Sequence, residues 1–266
     1  MQTGELLGSG RTADVFAIDD HWVLRRYRDG GDATAEAAVL AYLAERGYPV
    51  PRVRGPADAR PGTAPRSDLV MERLHGPTML QALLLGTITA EEAGSALAGL
   101  LHRLHSVPAR LSADPAHRIL HLDLHPDNVV LTAGGPMVID WCNTAEGPPG
   151  LDWGMSSLIL AQVAVDTTAL AAPARQVLAS MLTHLAPAVA AGNSGCGCVT
   201  EARKRRAADP SMSESETSLL DDAMRLVLEL TPAQPHPLQE DGGSQPGRGD
   251  LPEDRPAFRA GQPGGR

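Results

Sequence analysis

A short stretch near the middle of the sequence places carboxylates and an amide between apolar runs. Asp123 and Asn128 lie in one loop, and Asp140 follows the next apolar run. The turn signal Gly134-Gly135 before that run predicts a hairpin that brings Asp140 close to the other two residues. Two carboxylates and an amide in one place are suited to a hard cation with oxygen ligands. Phosphoryl transfer uses such a cation, together with a carboxylate that takes the proton of the acceptor hydroxyl.

The spacing of these residues matches that of a kinase catalytic loop. In kinases the loop has the form H-R-D-x-x-x-x-N and is followed by Asp-Phe-Gly. Here His121-Leu122-Asp123 is followed after four residues by Asn128, and later by Asp140-Trp141-Cys142. An isolated Asp or Asn in a turn is usually a cap or an Asx turn, and we assign Asp127 to that alternative.

The sequence resembles the aminoglycoside phosphotransferase and choline-kinase-like family, the small-molecule branch of the protein-kinase-like fold. That family has a His-Gly-Asp-x-His-x-x-Asn loop and an Ile-Asp-Trp segment. This sequence differs at Leu122, where the family usually has Gly. The matching residues are His121, Asp123, His125, Asn128, Ile139, Asp140 and Trp141. The resemblance implies an α+β, two-lobe fold with a small β-rich N-lobe and a mostly helical C-lobe.

The resemblance also implies an activity and a role for each residue of the loop. The activity is transfer of the γ-phosphate of ATP or GTP to a hydroxyl of a small molecule. Asp123 is then the catalytic base, Asn128 and Asp140 bind Mg²⁺, and His121 and His125 support the loop.

Asp152 lies where the family often has a structural Asp. It could support the loop by accepting backbone N–H bonds, or it could equally cap the helix that begins there. The sequence leaves both possibilities open.

The first part of the chain contains candidates for nucleotide binding. Gly8-Ser9-Gly10 begins a segment similar to the glycine-rich loop of kinases, G-x-G-x-x-G-x-V, and a plain hairpin turn is the alternative. Arg25 lies on a predicted strand, 22–27, at the position of the kinase Lys. A helix is predicted over 34–46, with Glu36 on its buried face.

A buried carboxylate needs a partner, and Arg25 would satisfy Glu36 while also presenting charge to the phosphates. The alternative is that Glu36 is simply an acid favoured near a helix N-terminus. The segment 69–77 resembles the hinge that connects the lobes, and the purine is predicted beside Glu72 to Leu74. An ordinary edge strand with a turn is the alternative there.

The remaining pattern predicts three segments and a set of helices. The segments are a nucleotide-binding lobe (1–73), a helical lobe with the catalytic loop (74–231) and a disordered tail (232–266), which is poor in large apolar residues. Helices are predicted over 90–105, 151–165, 169–191 and 214–230. The basic run 203–206 is interpreted as a solvated helix face, and 153–200 contains only one acid, Asp166, so the sequence does not predict a polycationic acceptor.

Composition excludes several classes of protein. The 266 residues are 42% hydrophobic, enough for a full core, and three Cys are too few for a disulfide-stapled domain. A net charge of −9 and a pI near 5.4 argue against nucleic acid as a partner. The N-terminus does not have the pattern of a signal peptide and no apolar run is long enough to span a membrane, so we expect a cytoplasmic protein. The oligomeric state is not predicted.

A second hypothesis is a nucleotide-binding module without turnover. Ala13, Leu122 and Arg25 motivate it, because each departs from the kinase pattern. In that case the tail would be an interaction segment for a partner protein.

Overall fold

An antiparallel sheet forms the N-terminal part of the chain. In this computed structural model, which describes residues 4–10, 12–28, 31–54, 67–191 and 195–232, the sheet has the order β1-β2-β3-β4. The strands are β1 (Leu6–Ser9), β2 (Ala13–Ala17), β3 (Trp22–Tyr27) and β4 (Asp68–Glu72). Central strand β3 is the predicted strand. Except for its first residue, the predicted tail lies outside the described residues.

Helix α1 (Thr34–Glu45) connects β3 to the chain segment that leads to β4. Its buried residues are Glu36, Val39, Leu40 and Leu43, which is the face predicted from their spacing. Gly47, with a φ of 72°, ends the helix, because a left-handed backbone favours glycine.

Seven further helices, among the described residues, form most of the C-terminal part. They are α2 (Met79–Leu84), α3 (Ala90–His105), α4 (Pro149–Val165), α5 (Ala171–Ala191), α6 (Gly195–Ala207), α7 (Glu214–Ser218) and α8 (Leu220–Leu230). Helix α4 is central and packs against α5, α6 and α8. Helices α3 and α5 approach closely at Gly94, where an added Cβ would lie 2.6 Å from the carbonyl oxygen of Val177.

Four short strands lie between α3 and α4. Strand β5 (Arg118–Leu120) pairs with β8 (Ala145–Gly147), and β6 (Val129–Thr132) pairs with β7 (Gly135–Val138). The β6–β7 pair is the hairpin predicted from the Gly-Gly turn. A single 3₁₀ turn, Pro126–Asn128, leads into β6.

The predicted fold class is confirmed, since an antiparallel sheet is followed by a mainly helical part. The helix predictions need correction in three places. The predicted helix 214–230 is divided into α7 and α8 at Leu219, the short helix α2 was not predicted, and helix α6 was predicted only at its basic run, 203–206. Within the described part of the chain, no helix combines the length and apolar character needed to cross a membrane.

Candidate active site

The β6–β7 hairpin brings the predicted metal ligands next to each other. Val129 pairs with Val138, and the backbone N–H of Ile139 donates to the carbonyl oxygen of Asn128 at 3.0 Å. Asp140 follows directly and has a φ of 62°. The pairing register therefore places residue 128, just before β6, and residue 140, just after β7, at the same end of the hairpin.

The side chain of Asn128 is fixed in one orientation. Its Nδ2 donates to the carbonyl oxygen of Asp123 at 2.8 Å and lies 3.4 Å from Asp123 Oδ2. Because a carbonyl oxygen requires a donor, the amide nitrogen must face Asp123. Among the described residues Asn128 Oδ1 has no hydrogen-bond partner, so this oxygen can accept a cation.

Asp123 lies at the edge of a cavity of about 350 Å³. Its side chain is 28% exposed. Leu122 and Met155 form part of the wall, and the C-terminal end of α6 with the turn after it forms another part. A carboxylate beside a cavity of this size can contact a small molecule bound there.

His121 and His125 have different surroundings. His121 is fully buried, and its Nε2 bonds to the carbonyl oxygen of Ile139 at 3.0 Å while its Nδ1 accepts from the backbone N–H of Asp123 at 3.2 Å. It thus connects the loop to the strand that carries Asp140. His125 Nε2 lies 4.0 Å from Asp123 Oδ1, and burial lowers the pKa of His125.

Arg25 joins the N-terminal sheet to this site. Its Nη2 donates to Asp140 Oδ1 at 2.6 Å, and its Nε lies 3.5 Å from Glu36 Oε2. Glu36 in turn accepts from the hydroxyl of Tyr27 at 2.5 Å and from the backbone N–H of Trp141 at 3.2 Å. The predicted pair of Arg25 and Glu36 is present. Through Glu36 it is also hydrogen-bonded to Trp141, the residue after Asp140.

These contacts determine the charge of Asp140. Burial alone would raise the pKa of this carboxyl, but the charge of Arg25 and hydrogen bonds from Cys142 and Arg25 outweigh burial, so the pKa lies below its ordinary value. Burial and the neighbouring Asp140 raise the pKa of the Cys142 thiol to about 12. Asp140 is therefore ionised and Cys142 remains a thiol at neutral pH.

Asp152 supports the loop from within α4. It is fully buried, and its carboxylate accepts the backbone N–H groups of His121 at 3.1 Å and Leu122 at 2.7 Å. His105 Nε2 contacts it at 2.9 Å. Pro148 occupies the N-cap of α4 and makes no side-chain cap bond, so the alternative that Asp152 caps this helix is wrong.

Among the described residues, no hydrogen bond or ion pair joins the predicted glycine-rich and hinge residues to this cluster of contacts. Gly8 and Ser9 are the last two residues of β1, and Gly10 begins the turn to β2, where its backbone N–H donates to the carbonyl oxygen of Ala13 at 2.9 Å. The hydroxyl of Ser9 bonds to Asp14 and Arg28.

At the end of β4, Glu72 accepts from Arg52 at 3.1 Å. Leu74, two residues further on, is half-buried. Among the described residues, no hydrogen bond or ion pair joins Glu72 or Leu74 to Asp123, Asn128 or Asp140.

The sequence interpretation missed several partners in the site. It assigned no function to His105, which contacts Asp152, and it did not predict the hydroxyl of Tyr27 on Glu36. The run 203–206 was interpreted as a solvated face, but Arg205 and Arg206 also line the cavity beside Asp123.

Asp140 and Asn128 fit a magnesium site in which phosphates supply further ligands. Among the described residues no group of three or more His, Cys, Asp or Glu could hold a metal ion alone. Mg²⁺ usually takes one or two protein carboxylates and fills its other positions with substrate phosphates and water. The Asp140 carboxylate and the unpartnered Asn128 oxygen match that ligand chemistry.

A family model described as phosphotransferase enzyme family, APH, matches residues 3–119 and 107–187. These segments cover more than half of the chain, and the chain therefore belongs to this family. The predicted resemblance is confirmed, and membership supports small-molecule phosphotransferase activity. A comparison with curated proteins found no match.

Several solved structures are similar to this chain. One is the ADP-bound aminoglycoside phosphotransferase APH(2'')-Ib, with 16% identity over 87% of this chain and 95% of that one, and a TM-score of 0.49. The amicoumacin kinase hAmiN in complex with AMP-PNP, Ca²⁺ and Ami has 11% identity over 86% of this chain and 88% of that one, and a TM-score of 0.48. A choline/ethanolamine kinase family protein from Mesorhizobium loti has 14% identity over 86% and 88%, and a TM-score of 0.49.

Proposed function

We propose that this protein transfers the γ-phosphoryl group of ATP, or of GTP, to a hydroxyl of a small molecule. Asp123 is the catalytic base, and Asn128 and Asp140 hold Mg²⁺. One observation carries the proposal: the Asn128 amide is bound to the main chain of Asp123 while the hairpin sets Asp140 beside it. Three groups that phosphoryl transfer requires are thus held together by this side-chain bond and by the pairing of the hairpin.

Asp123 has the surroundings that a base for an alcohol needs. Its carboxylate borders the cavity, and the one hydrogen bond that it receives among the described residues is long, 3.4 Å, from the Asn128 amide. A hydroxyl in the cavity can donate its proton to this carboxylate as the oxygen attacks phosphorus. His121, His125 and Asp152 keep the loop in place, which keeps the carboxylate aligned with the acceptor.

Asn128 and Asp140 supply the protein ligands for the metal. The ion would bridge the phosphates and neutralise the charge that develops on them. Asp140 is held ionised by Arg25, and Asn128 presents an oxygen because its nitrogen is engaged by Asp123.

The N-terminal part binds the nucleotide in this proposal. Arg25 is oriented by Glu36 and contacts Asp140, so its guanidinium lies where it can also bind phosphate oxygens. Residues 1–73 then form the nucleotide-binding lobe and 74–231 the catalytic lobe. The predicted nucleotide contacts are Gly8, Ser9, Gly10, Arg25, Glu36, Glu72 and Leu74.

The test is magnesium-dependent phosphoryl transfer from ATP and GTP by the wild-type protein and by Asp123→Asn. The exchange removes the base but keeps the shape, so we expect the rate to fall at least about 100-fold. Asp127→Asn is the matched control, because Asp127 is exposed and accepts from the Thr78 hydroxyl at 2.9 Å, which an amide oxygen can also do.

Equal activity of Asp123→Asn and the wild type would refute the assigned base. Magnesium-dependent nucleotide binding without transfer to any alcohol would instead favour the module without turnover. The direct contact of Arg25 with Asp140 Oδ1 favours that second function, because it occupies one oxygen of a proposed metal ligand.

A further inference from the structure

The cavity beside Asp123 is the space into which an acceptor hydroxyl must fit. Its volume is about 350 Å³. This size suits a small metabolite. Its wall includes three charged residues besides Asp123, namely Arg205, Arg206 and Asp209, at the end of α6 and in the turn after it.

Arg206 is held in place by buried polar contacts. Its Nε donates to Gln162 Oε1, and Gln162 Nε2 donates to the carbonyl oxygen of Glu216 at 2.8 Å. Gln162 is buried in α4. The guanidinium therefore has a defined position at the wall of the cavity.

Arg205 differs from its neighbours in having a free charge. It is exposed and lines the cavity, and its side chain makes no hydrogen bond or ion pair with another described residue. On the same helix, Arg203 pairs with Asp221 and Lys204 pairs with Glu201. Two of the four basic residues are thus neutralised away from the cavity, and two line it.

Both acids of the cavity have another partner or role. Asp209 is engaged by the backbone N–H of Ser211 at 2.8 Å, as in a turn, and Asp123 is reserved for the acceptor hydroxyl in the proposed function. A polycationic acceptor would have to bring its ammonium groups against two guanidinium groups, which is costly. An anionic group would gain charge-assisted, bidentate hydrogen bonds from them.

We propose that the acceptor is a small hydroxyl compound with a carboxylate or a phosphate, which Arg205 and Arg206 bind while the hydroxyl faces Asp123. This inference rests on the proposed function. In the reaction the hydroxyl oxygen bonds to the γ-phosphorus, and the bond from that phosphorus to the bridging oxygen breaks. The hydroxyl proton passes to Asp123, and the nucleoside diphosphate leaves.

The experiment separates an aqueous metabolite extract by ion exchange at pH 7 into cationic, neutral and anionic fractions. Each fraction is incubated with the full-length protein, Mg²⁺ and ATP or GTP, and products are detected by the mass gain of one phosphoryl group. We expect the acceptor in the anionic fraction. Chemical identification then distinguishes a carboxylate from a phosphate.

The identified acceptor is next tested with variants of α6. Arg205→Gln should raise the KM for this acceptor about 10-fold, because a charge-assisted hydrogen bond is lost, with little change in kcat or in the KM for the nucleotide. Lys204→Gln is the matched control, since Lys204 is exposed and does not line the cavity. It should behave as the wild type.

Three outcomes count against the inference, and they can be told apart. An acceptor found in the cationic or neutral fraction overturns it and leaves the proposed function intact. So does an Arg205→Gln variant that changes only the KM for the nucleotide. No phosphorylated product from any fraction refutes the proposed function itself, and this inference with it.

Discussion

Leu122 has a left-handed backbone at a position where the family usually has glycine. Its φ is 65°, a conformation that costs an L-residue about 1–2 kcal/mol. The side chain, however, is buried with Leu120, Met155 and Ala202. Burying a leucine contributes about 1.5–3 kcal/mol, which offsets the backbone cost. The leucine therefore packs the loop 121–128 against α4 and α6.

Two substitutions at this position separate packing from strain. Leu122→Gly removes both and should still reduce the free energy of unfolding, by about 1–3 kcal/mol, because the lost packing and the cavity outweigh the relief of strain. Leu122→Ala removes the packing but keeps the strain, so it should be less stable than the glycine variant by about 1 kcal/mol. Urea denaturation at pH 7 measures both values.

The relative stability of the glycine and alanine variants tests the backbone conformation of residue 122. An alanine variant more stable than the glycine variant would contradict a left-handed backbone at residue 122.

At the scale of elements, α4 supports the loop 121–128 through Asp152. Because the carboxylate is buried and accepts two backbone N–H groups, Asp152→Asn should reduce the free energy of unfolding by about 2–4 kcal/mol. Amide hydrogen exchange should accelerate at residues 121 and 122. Asp166→Asn at the other end of α4 is the control, and it should change neither quantity by a comparable amount.

The contribution of Asp152 should also depend on pH. Burial raises its pKa, but the bond from His105, nearby positive charge and the backbone N–H bond outweigh burial, so the pKa in the folded state lies below the ordinary value of about 3.9. A lowered pKa means that the ionised group stabilises the folded state above the ordinary value, and that this stabilisation is lost as the pH falls through the folded value. The difference between the wild type and Asp152→Asn should thus be constant near pH 7 and shrink below about pH 4. A difference that grows in acid would contradict this role.

Local sequence patterns predict the elements that have strong periodicity or clear turn residues. Helix α3 was predicted at its observed bounds, 90–105, and the β6–β7 hairpin was predicted from its glycine turn. The division at Leu219 was not predicted, because no Gly or Pro marks it in residues 214–230. Helix α2 is only six residues long, too short for periodicity to reveal.

In the candidate site, too, some residues could be predicted from local sequence patterns and others could not. Fixed offsets along the chain locate Asp123, Asn128 and Asp140, because one loop and one hairpin carry all three. The contact of His105 with Asp152 joins residues 47 positions apart. The position of Arg206 depends on how α6 packs against α4. Such partners are set by tertiary packing, so no local pattern reveals them.

At the scale of the whole molecule, an ion pair connects the N-terminal sheet to the β6–β7 hairpin. Arg25 on β3 reaches both Glu36 on α1 and Asp140 after β7. Its buried guanidinium keeps Asp140 ionised, as a metal ligand must be. The nucleotide-binding and metal-binding parts of the proposed site therefore share one charged group.

The central claim is that Asn128 and Asp140 hold one divalent ion together with the phosphates of the nucleotide. Calorimetric titration of Mg²⁺ into the protein with a non-hydrolysable ATP analogue measures this directly. Asn128→Ala and Asp140→Asn should each weaken magnesium binding by at least about 10-fold, while Asp127→Asn should bind as the wild type does. Unchanged magnesium affinity in both ligand variants would contradict the account.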